Sequence, residues 1–254
     1  MCTVLLLLRP GDPWPLLIGA NRDERLDRPF LPPGRHWPDQ PGVLGGRDVA
    51  GGGSWFAVND DGVVATIVNG LDRLGPLAGK ASRGEIVLRA MRERDARSAA
   101  RAIAALGAHR YRGFTLLVAD RETAFAVTSD ERALRVDALA PGHHIVTPEG
   151  CDVPDSPRYA AHFDAFRTAA PPDPSRDDWA SWTELLRHAD DDDPHRAITV
   201  VTARRFGTVC STLLALRADR TEPPLLLFAN GPPTAAPYEL VRSPRVRAGH
   251  VEGR

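Results

Sequence analysis

CTVLLLLRPGDPWPLLIGANRDER, residues 2–25, is the stretch of this 254-residue chain that decides the fold. Thr3–Leu8 is a continuous apolar run that ends in a turn rich in Pro and Gly, which predicts a buried strand. Pro15–Ala20 predicts the hairpin partner of that strand. Because a hairpin brings its two ends together, we expect Cys2 to lie beside the segment that follows Ala20.

Cys2 directly follows the initiator methionine, and a small side chain at this position usually allows Met1 to be removed. The mature chain would then begin with a cysteine that carries both a thiol and a free α-amine. The reference pKa of an α-amine is about 7.7–8.0, so near neutral pH part of it is uncharged and can accept the thiol proton. From position alone, the other interpretation is a cysteine that packs in a strand as a small apolar residue.

The bulk composition is that of an ordinary globular protein, with 43% hydrophobic and 26% charged residues. A formal net charge of −1 gives no reason to expect nucleic acid or an anionic membrane as a partner. The cysteines Cys2, Cys151 and Cys210 show neither a disulfide framework nor a CxxC metal pair, which is typical of a reducing compartment. With no secretory signal and no apolar run as long as a membrane span, we expect a cytoplasmic protein.

The order of predicted elements is strands, helices, strands, helices, strands, which indicates a segregated α+β fold with antiparallel sheets and helices on their outer faces. Residues 29–53 are rich in Pro and Gly and predict a long loop, and Ala197–Thr202 predicts one of the last strands. No linker separates two cores, so we expect one domain over residues 1–243 and a frayed tail over residues 244–254.

Asn21-Arg22-Asp23-Glu24 follows the predicted hairpin and places Asp23 within reach of the Cys2 amine or thiol. A carboxylate there would orient an α-ammonium during proton transfer, and Arg22 would offset the cost of a partly buried charge. The other interpretation is a surface cluster of alternating charges, and the pattern alone leaves both open.

Gly19–Arg25 (GANRDER), at this distance from Met1-Cys2, resembles the NRDE family, the family of transport and Golgi organisation protein 2-like proteins. Further fragments resemble the same family in the same order, and the resemblance extends over most of residues 1–230. These fragments are GGRD at 45–48, GGSWF at 52–56, Val63–Asn69, SRG at 82–84, YRGF at 111–114, FGT at 206–208 and ST at 211–212.

This resemblance implies an N-terminal nucleophile (Ntn) hydrolase fold, a four-layer αββα sandwich related to the cysteine amidases that begin with Met-Cys. It implies that Cys2 attacks an amide or thioester carbonyl, that Asp23 holds the α-amine, and that Asn69 donates to the oxyanion.

Four further residues are expected to bind the substrate, a small molecule: Asn21, Arg22, Glu24 and Trp55. No cofactor is required for this chemistry. The oligomeric state is left open, with a homo-oligomer among the options.

Two supports of the amidases are missing at the corresponding positions here. The amidases have an asparagine at the end of a later strand, where this chain reads VTPE at 146–149, and an arginine in a late strand, where it reads GTVCST at 207–212. The alternative function is therefore a non-catalytic binding or trafficking protein on the same scaffold, with haem or an acyl-CoA or lipid as the candidate cargo. Arg22, Arg25 and Arg28 would either meet phosphates or pair with the neighbouring acidic residues.

Overall fold

The computed structural model of the chain describes residues 2–190, 192–202 and 205–243. Within these ranges the chain forms fourteen strands and four α-helices. The tail at 244–254, expected to be frayed, lies outside the described residues. The strands are β1 Thr3–Leu8, β2 Leu16–Arg25, β3 Phe30–Gly34, β4 Val43–Asp48, β5 Phe56–Asn59, β6 Val64–Asn69, β7 Phe114–Ala119, β8 Ala124–Ser129, β9 Leu134–Leu139, β10 Gly142–Thr147, β11 Gly150–Cys151, β12 Phe206–Leu216, β13 Leu225–Ala229 and β14 Glu239–Leu240. The helices are α1 Gly84–Ala90, α2 Ala96–Ala104, α3 Pro157–Thr168 and α4 Ala180–Arg187.

The strands form two seven-stranded sheets in which neighbouring strands pair antiparallel. The first sheet has the order β11-β10-β1-β2-β12-β13-β14, and the second has the order β3-β4-β5-β6-β7-β8-β9. Apolar side chains of both sheets, such as Leu6, Ile18, Phe56 and Leu117, pack against each other between them. Burial of these side chains is the main stabilising contribution to the contact between the sheets.

The helices cover the two outer faces, each with an apolar stripe. On α2 the buried residues Ala96, Ala99, Ala100 and Ile103 follow helical spacing, and Asp95 caps the helix by accepting a hydrogen bond from the Ser98 N–H. Helices α1 and α2 pack on the second sheet, and α3 and α4 pack on the first. The predicted four-layer αββα sandwich is confirmed.

The predicted first hairpin is also confirmed, since β1 pairs with β2 from Thr3 opposite Asn21 to Leu8 opposite Leu16. However, β2 does not end at Ala20. It continues to Arg25 because β12 pairs with it over its whole length, from Phe206 opposite Arg25 to Leu216 opposite Leu16. The NRDE segment is therefore part of a central strand of the first sheet.

Two local predictions are wrong. Residues 29–53 contain β3 and β4, and β3 tolerates Pro32 and Pro33 because it is an edge strand. Residues 197–202 form no strand and make a single bridge, between Val201 and Gly207. Both side chains and backbone bond to this segment outside a strand: Asn21 donates to the Ile198 carbonyl, Thr208 accepts from the Val200 N–H, and the N–H groups of Ile198 and Thr199 donate to the His188 carbonyl.

Gly53 and Gly84 lie in backbone contact and fix α1 against the loop between β4 and β5. A Cβ atom on Gly53 would lie 2.3 Å from the Gly84 carbonyl carbon. The Ser54 N–H donates to the Gly84 carbonyl at 3.1 Å. The close approach requires glycine at both positions, because a side chain at either would push the helix away from the loop.

We expect Gly53→Ala to lower the free energy of unfolding by about 3 kcal/mol, since the added methyl group meets backbone that cannot rotate away. Urea unfolding followed by circular dichroism measures this loss. Gly11→Ala is the matched control: Gly11 has a positive φ of 88° but no atom within 4 Å of an added Cβ, so we expect a loss of about 1 kcal/mol. Equal losses in the two variants would contradict the backbone contact.

Candidate active site

A cavity of about 310 Å³ opens where β1 begins and where β2 and β6 end, and Cys2 lies in its wall. The predicted site residues Arg22, Asp23, Glu24, Trp55 and Asn69 also line this cavity. Residues of the loop between β6 and α1 and the start of α1 form another side. Tertiary structure thus brings together side chains from the two sheets and from the loop before α1.

Cys2 is held against the backbone of Asp23. The Asp23 N–H donates to Cys2 Sγ at 3.4 Å, and the thiol donates to the Asp23 carbonyl oxygen at 3.7 Å. Cys2 is 9% exposed, so the sulfur is almost withdrawn from solvent while still facing the cavity. The hairpin register explains this contact, because Thr3 pairs with Asn21 and the chain before it must therefore run beside Arg22 and Asp23.

The Asp23 side chain is buried, with 1% of its surface exposed. Its Oδ1 accepts a hydrogen bond from the Thr208 hydroxyl at 2.6 Å. Its Oδ2 is buried and has no hydrogen-bond partner among the described residues. The pairing of β2 with β12 shifts register between Thr208 and Cys210, directly beside Asp23, and such a bulge re-aims side chains next to a site.

Burial raises the pKa of the Cys2 thiol, and the charge of Asp23 raises it further, while the charge of Arg22 acts in the opposite direction. Burial also raises the pKa of the Asp23 carboxyl, against the charge of Arg158 and the hydrogen bond from Thr208. Both groups are therefore harder to ionise than in water. A thiolate at Cys2 requires a nearby base to accept the proton.

Arg22 is 5% exposed and packs between aromatic rings, with its guanidinium carbon 4.2 Å from the centre of the Trp55 ring and 5.4 Å from that of Phe30. Its Nη2 lies 3.5 Å from Asp48 and 3.8 Å from Glu24, and its Nη1 has no hydrogen-bond partner among the described residues. A cation on an aromatic face that also meets carboxylates is strongly positioned. Arg22 therefore forms a fixed part of the cavity wall.

The neighbouring arginines are paired with carboxylates. Arg28 lies 2.8 Å from Asp48 and 3.6 Å from Glu24, and Arg25 makes two hydrogen bonds to Asp27 outside the cavity. These contacts agree with the interpretation that the charges of this segment pair among themselves.

Asn69 is the last residue of β6 and lies in the cavity wall with its side chain partly exposed. It pairs with Phe114 in β7, so the second sheet fixes its backbone while its amide stays accessible. Ile67, two residues earlier on the same face of the strand, is also part of the wall.

Asn21 is the one predicted site residue that the structure does not bring to the cavity. Its side-chain amide donates to the carbonyls of Leu186 and Ile198 at 2.9 and 3.0 Å, and its oxygen accepts from the Ser211 hydroxyl at 2.6 Å. Asn21 and Asp23 alternate with Arg22 along β2, so Asn21 points to the helix-covered face of the sheet. These contacts connect β2 to α4 and to residues 197–202.

Four residues near the site were not predicted from the sequence: Thr208, Arg158, Arg83 and Arg112. Thr208, Arg83 and Arg112 fall within the fragments FGT, SRG and YRGF that resemble the family. The resemblance therefore pointed to these segments, but not to the contacts that the three side chains make. Arg158 lies in the first turn of α3, is 2% exposed, and its charge acts on both Asp23 and Cys2. No sequence pattern indicates it, because its proximity to Asp23 depends on the packing of α3.

Arg83 and Arg112 hold the loop between β6 and α1 over the cavity. Arg83 donates to the carbonyls of Arg73, Gly75 and Gly113, and Arg112 donates to carbonyls of the same loop. Burial and the nearby charge of Arg112 lower the pKa of Arg83 to about 10. This side of the cavity is therefore positively charged.

The fold agrees with solved structures of Ntn hydrolases. The Caenorhabditis elegans ortholog of N-acylethanolamine-hydrolyzing acid amidase is 14% identical, with a TM-score of 0.54 over 87% of this chain and 95% of that chain. A variant of conjugated bile acid hydrolase from Clostridium perfringens is 11% identical, with a TM-score of 0.50 over 99% of this chain and 100% of that chain. The chain has the fold of the Ntn hydrolases.

The sequence matches the Transport and Golgi organisation 2 family over residues 1–222, and the chain belongs to this family. No functionally curated protein matches it significantly. Among the described residues, none of the helices combines the length and the apolar character needed to cross a membrane.

Because Asn21 is buried and hydrogen-bonded while Asn69 faces the cavity, we expect substitutions at the two positions to lower the stability of the fold by different amounts. We expect Asn21→Ala to lower the free energy of unfolding by about 3 kcal/mol, because it leaves buried hydrogen-bonding groups unsatisfied. We expect Asn69→Ala to cost less than about 1 kcal/mol, because its side chain faces the cavity. Chemical denaturation of both variants measures the difference, and a larger loss in Asn69→Ala would contradict the assignment of Asn21 as the structural residue of the two.

Proposed function

We propose that this protein is a cysteine Ntn hydrolase that cleaves an amide or acyl-thioester bond of a small molecule. The observation that carries the proposal is the Cys2–Asp23 pair: a cavity-facing sulfur held by the Asp23 backbone, beside a buried carboxylate whose Oδ2 lacks a partner among the described residues. A nucleophile and a carboxylate brought together in a cavity are the features that such chemistry requires.

After removal of Met1, the α-amine of Cys2 would accept the thiol proton, and Asp23 Oδ2 would accept a hydrogen bond from the resulting ammonium. An unsatisfied buried acceptor gains from a cationic donor, and the ammonium gains from the carboxylate, so each group offsets the desolvation cost of the other. The hydrogen bond from Thr208 to Oδ1 keeps the carboxylate in place during this transfer.

The reaction would then proceed in two steps. The sulfur attacks the carbonyl carbon, and the side-chain amide of Asn69 donates to the oxygen that becomes negative. The C–N or C–S bond breaks as the α-ammonium gives its proton to the leaving group. Water then cleaves the acyl-enzyme thioester, with the α-amine as the base, and the acid is released.

The cavity wall favours a substrate with an apolar part and an anionic part. Trp55, Ile67 and Leu77 offer apolar contacts, and Arg83 and Arg112 supply positive charge on the side of the loop. This arrangement of apolar and positively charged side chains suits an amide or thioester in which an apolar acyl group is joined to an amine or thiol that carries an anionic group.

We expect the mature protein to lack Met1 and to hydrolyse members of a panel of N-acyl amino acids and acyl thioesters. Cys2→Ala removes the nucleophile and should reduce turnover to the uncatalysed background, and Asn69→Ala should reduce kcat by about 100-fold because one oxyanion donor is lost. Intact-mass spectrometry and kinetic assays on the panel check both expectations.

Cys210→Ala is the matched control, because Cys210 is buried in β12 and should leave turnover unchanged. Retention of Met1, or turnover that survives Cys2→Ala, would contradict the proposal. Titrations with haem and with a long-chain acyl-CoA test the alternative: tight binding of either, with no turnover of any panel member, would favour a binding protein.

The buried carboxylate predicts a conflict between stability and activity at Asp23. Because burial raises its folded-state pKa above the unfolded value, Asp23 contributes stability at low pH that is lost as pH rises through the folded pKa. Asp23→Asn carries no charge at any pH. We therefore expect this variant to be more stable than the wild type at neutral pH, with a gain that disappears in acid, and to be inactive.

Asp27→Asn is the control, because the pKa of Asp27 is shifted in the opposite direction from that of Asp23. The hydrogen bonds from Arg25 lower the pKa of the exposed Asp27 carboxyl, so this substitution should not stabilise the protein at neutral pH. Thermal unfolding at several pH values, together with the kinetic assay, measures both effects. A loss of stability in Asp23→Asn at neutral pH would show that the carboxylate is a structural group.

A further inference from the structure

His144, Cys151 and Asp152 form a side-chain cluster at the edge of the first sheet, apart from the residues that line the Cys2 cavity. His144 lies in β10, Cys151 lies in β11, and Asp152 follows directly. One nitrogen, sulfur or oxygen atom from each side chain lies within 4.8 Å of the other two. Imidazole, thiolate and carboxylate together are a ligand set that suits zinc.

The hydrogen bonds of His144 point one ring nitrogen at the cluster. Its Nε2 lies 2.7 Å from the Ala140 carbonyl oxygen, which is only an acceptor, so Nε2 carries a proton. Its Nδ1 lies 2.5 Å from Asp152 Oδ2. Two acceptor atoms 2.5 Å apart require a proton between them, and a metal ion can replace that proton only if the two atoms move apart. Donation from the other ring nitrogen to a carbonyl is the usual support of a metal-bound histidine.

Asp152 is equally constrained. Its Oδ1 accepts a hydrogen bond from the Ile145 N–H at 2.9 Å, and its own N–H donates to the Ile145 carbonyl at 2.9 Å. Its φ is +51°, a conformation that non-glycine residues rarely adopt, and these two bonds hold it there. As a result Oδ2 faces His144 and Cys151.

Cys151 completes the cluster because its pairing with Val146 places it two residues from His144 along the neighbouring strand. A free cysteine thiol is mainly protonated at neutral pH. A divalent ion reverses this balance, since a coordinated thiol loses its proton.

The distances suit a tetrahedral ion. Zinc bonds of about 2.0–2.3 Å imply separations of about 3.3–3.7 Å between ligand atoms. His144 Nδ1 and Asp152 Oδ2 are 2.5 Å apart and therefore need to separate by about 1 Å to bind the same ion.

We propose that His144 Nδ1, Cys151 Sγ and Asp152 Oδ2 bind one zinc ion and thereby fasten β11 and the residue after it to β10. Binding displaces the proton shared by His144 and Asp152 and the thiol proton of Cys151, so two protons are released for each ion bound. Water or a fourth protein oxygen fills the remaining position.

The test uses the full chain, stripped with a chelator and titrated with Co²⁺ as a spectroscopic substitute for zinc. We expect one equivalent to bind, with a near-ultraviolet thiolate-to-metal band and the visible absorption of a tetrahedral site. Cys151→Ser should remove the thiolate band, and Asp152→Asn should weaken Zn²⁺ affinity by about tenfold or more in competition with a chelating dye.

Cys2→Ser and Cys210→Ser are the matched controls and should keep the thiolate band. Circular dichroism establishes that each variant is folded before it is titrated. The proposal is overturned if the folded wild type binds neither Co²⁺ nor Zn²⁺ at one equivalent, or if the thiolate band survives Cys151→Ser. This test involves no substrate, so its outcome is independent of whether Cys2 is catalytic.

Discussion

The buried carboxylate of Asp23 is the group on which the geometry of the site depends. A carboxylate withdrawn from water is costly unless donors and positive charge surround it. The hydrogen bond from Thr208 and the charge of Arg158 partly meet this need, yet the pKa of Asp23 is still raised and Oδ2 still has no hydrogen-bond partner among the described residues. A cationic group beside Cys2 is the remaining requirement of this arrangement, and the α-ammonium of the proposed mature N-terminus would supply it.

The positive charge near Cys2 comes from elements other than the one expected from the cysteine amidases. The late strand β12 offers Thr208 and Cys210 beside Asp23 instead of an arginine. Arg22 from the neighbouring strand and Arg158 from α3 are both buried close enough for their charges to act on Cys2 or Asp23. These two arginines, rather than a residue of β12, thus meet part of the electrostatic demand of the site.

Much of the site could be predicted because the contacts are local in the sheet. Cys2 and Asp23 meet through one hairpin, and the apolar runs and the turn between them are visible in the sequence. Asn21 was misplaced because β2 continues beyond Ala20, so Asn21 lies inside the sheet and its amide donates to the carbonyls of Leu186 and Ile198. Asp23 lies two residues closer to the end of the strand, where the cavity opens. Arg158 could not be predicted, since its position depends on how α3 packs on the first sheet.

By itself the sequence determined the α+β class, the first hairpin and the neighbourhood of Cys2 and Asp23, because apolar runs and turn residues act over short distances. Only the tertiary structure decided that β2 and β12 pair along their whole length, that Arg22 stacks on Trp55, and that Asn21 faces α4. These features depend on contacts between residues far apart in the chain, where packing and burial, rather than local preference, select the arrangement.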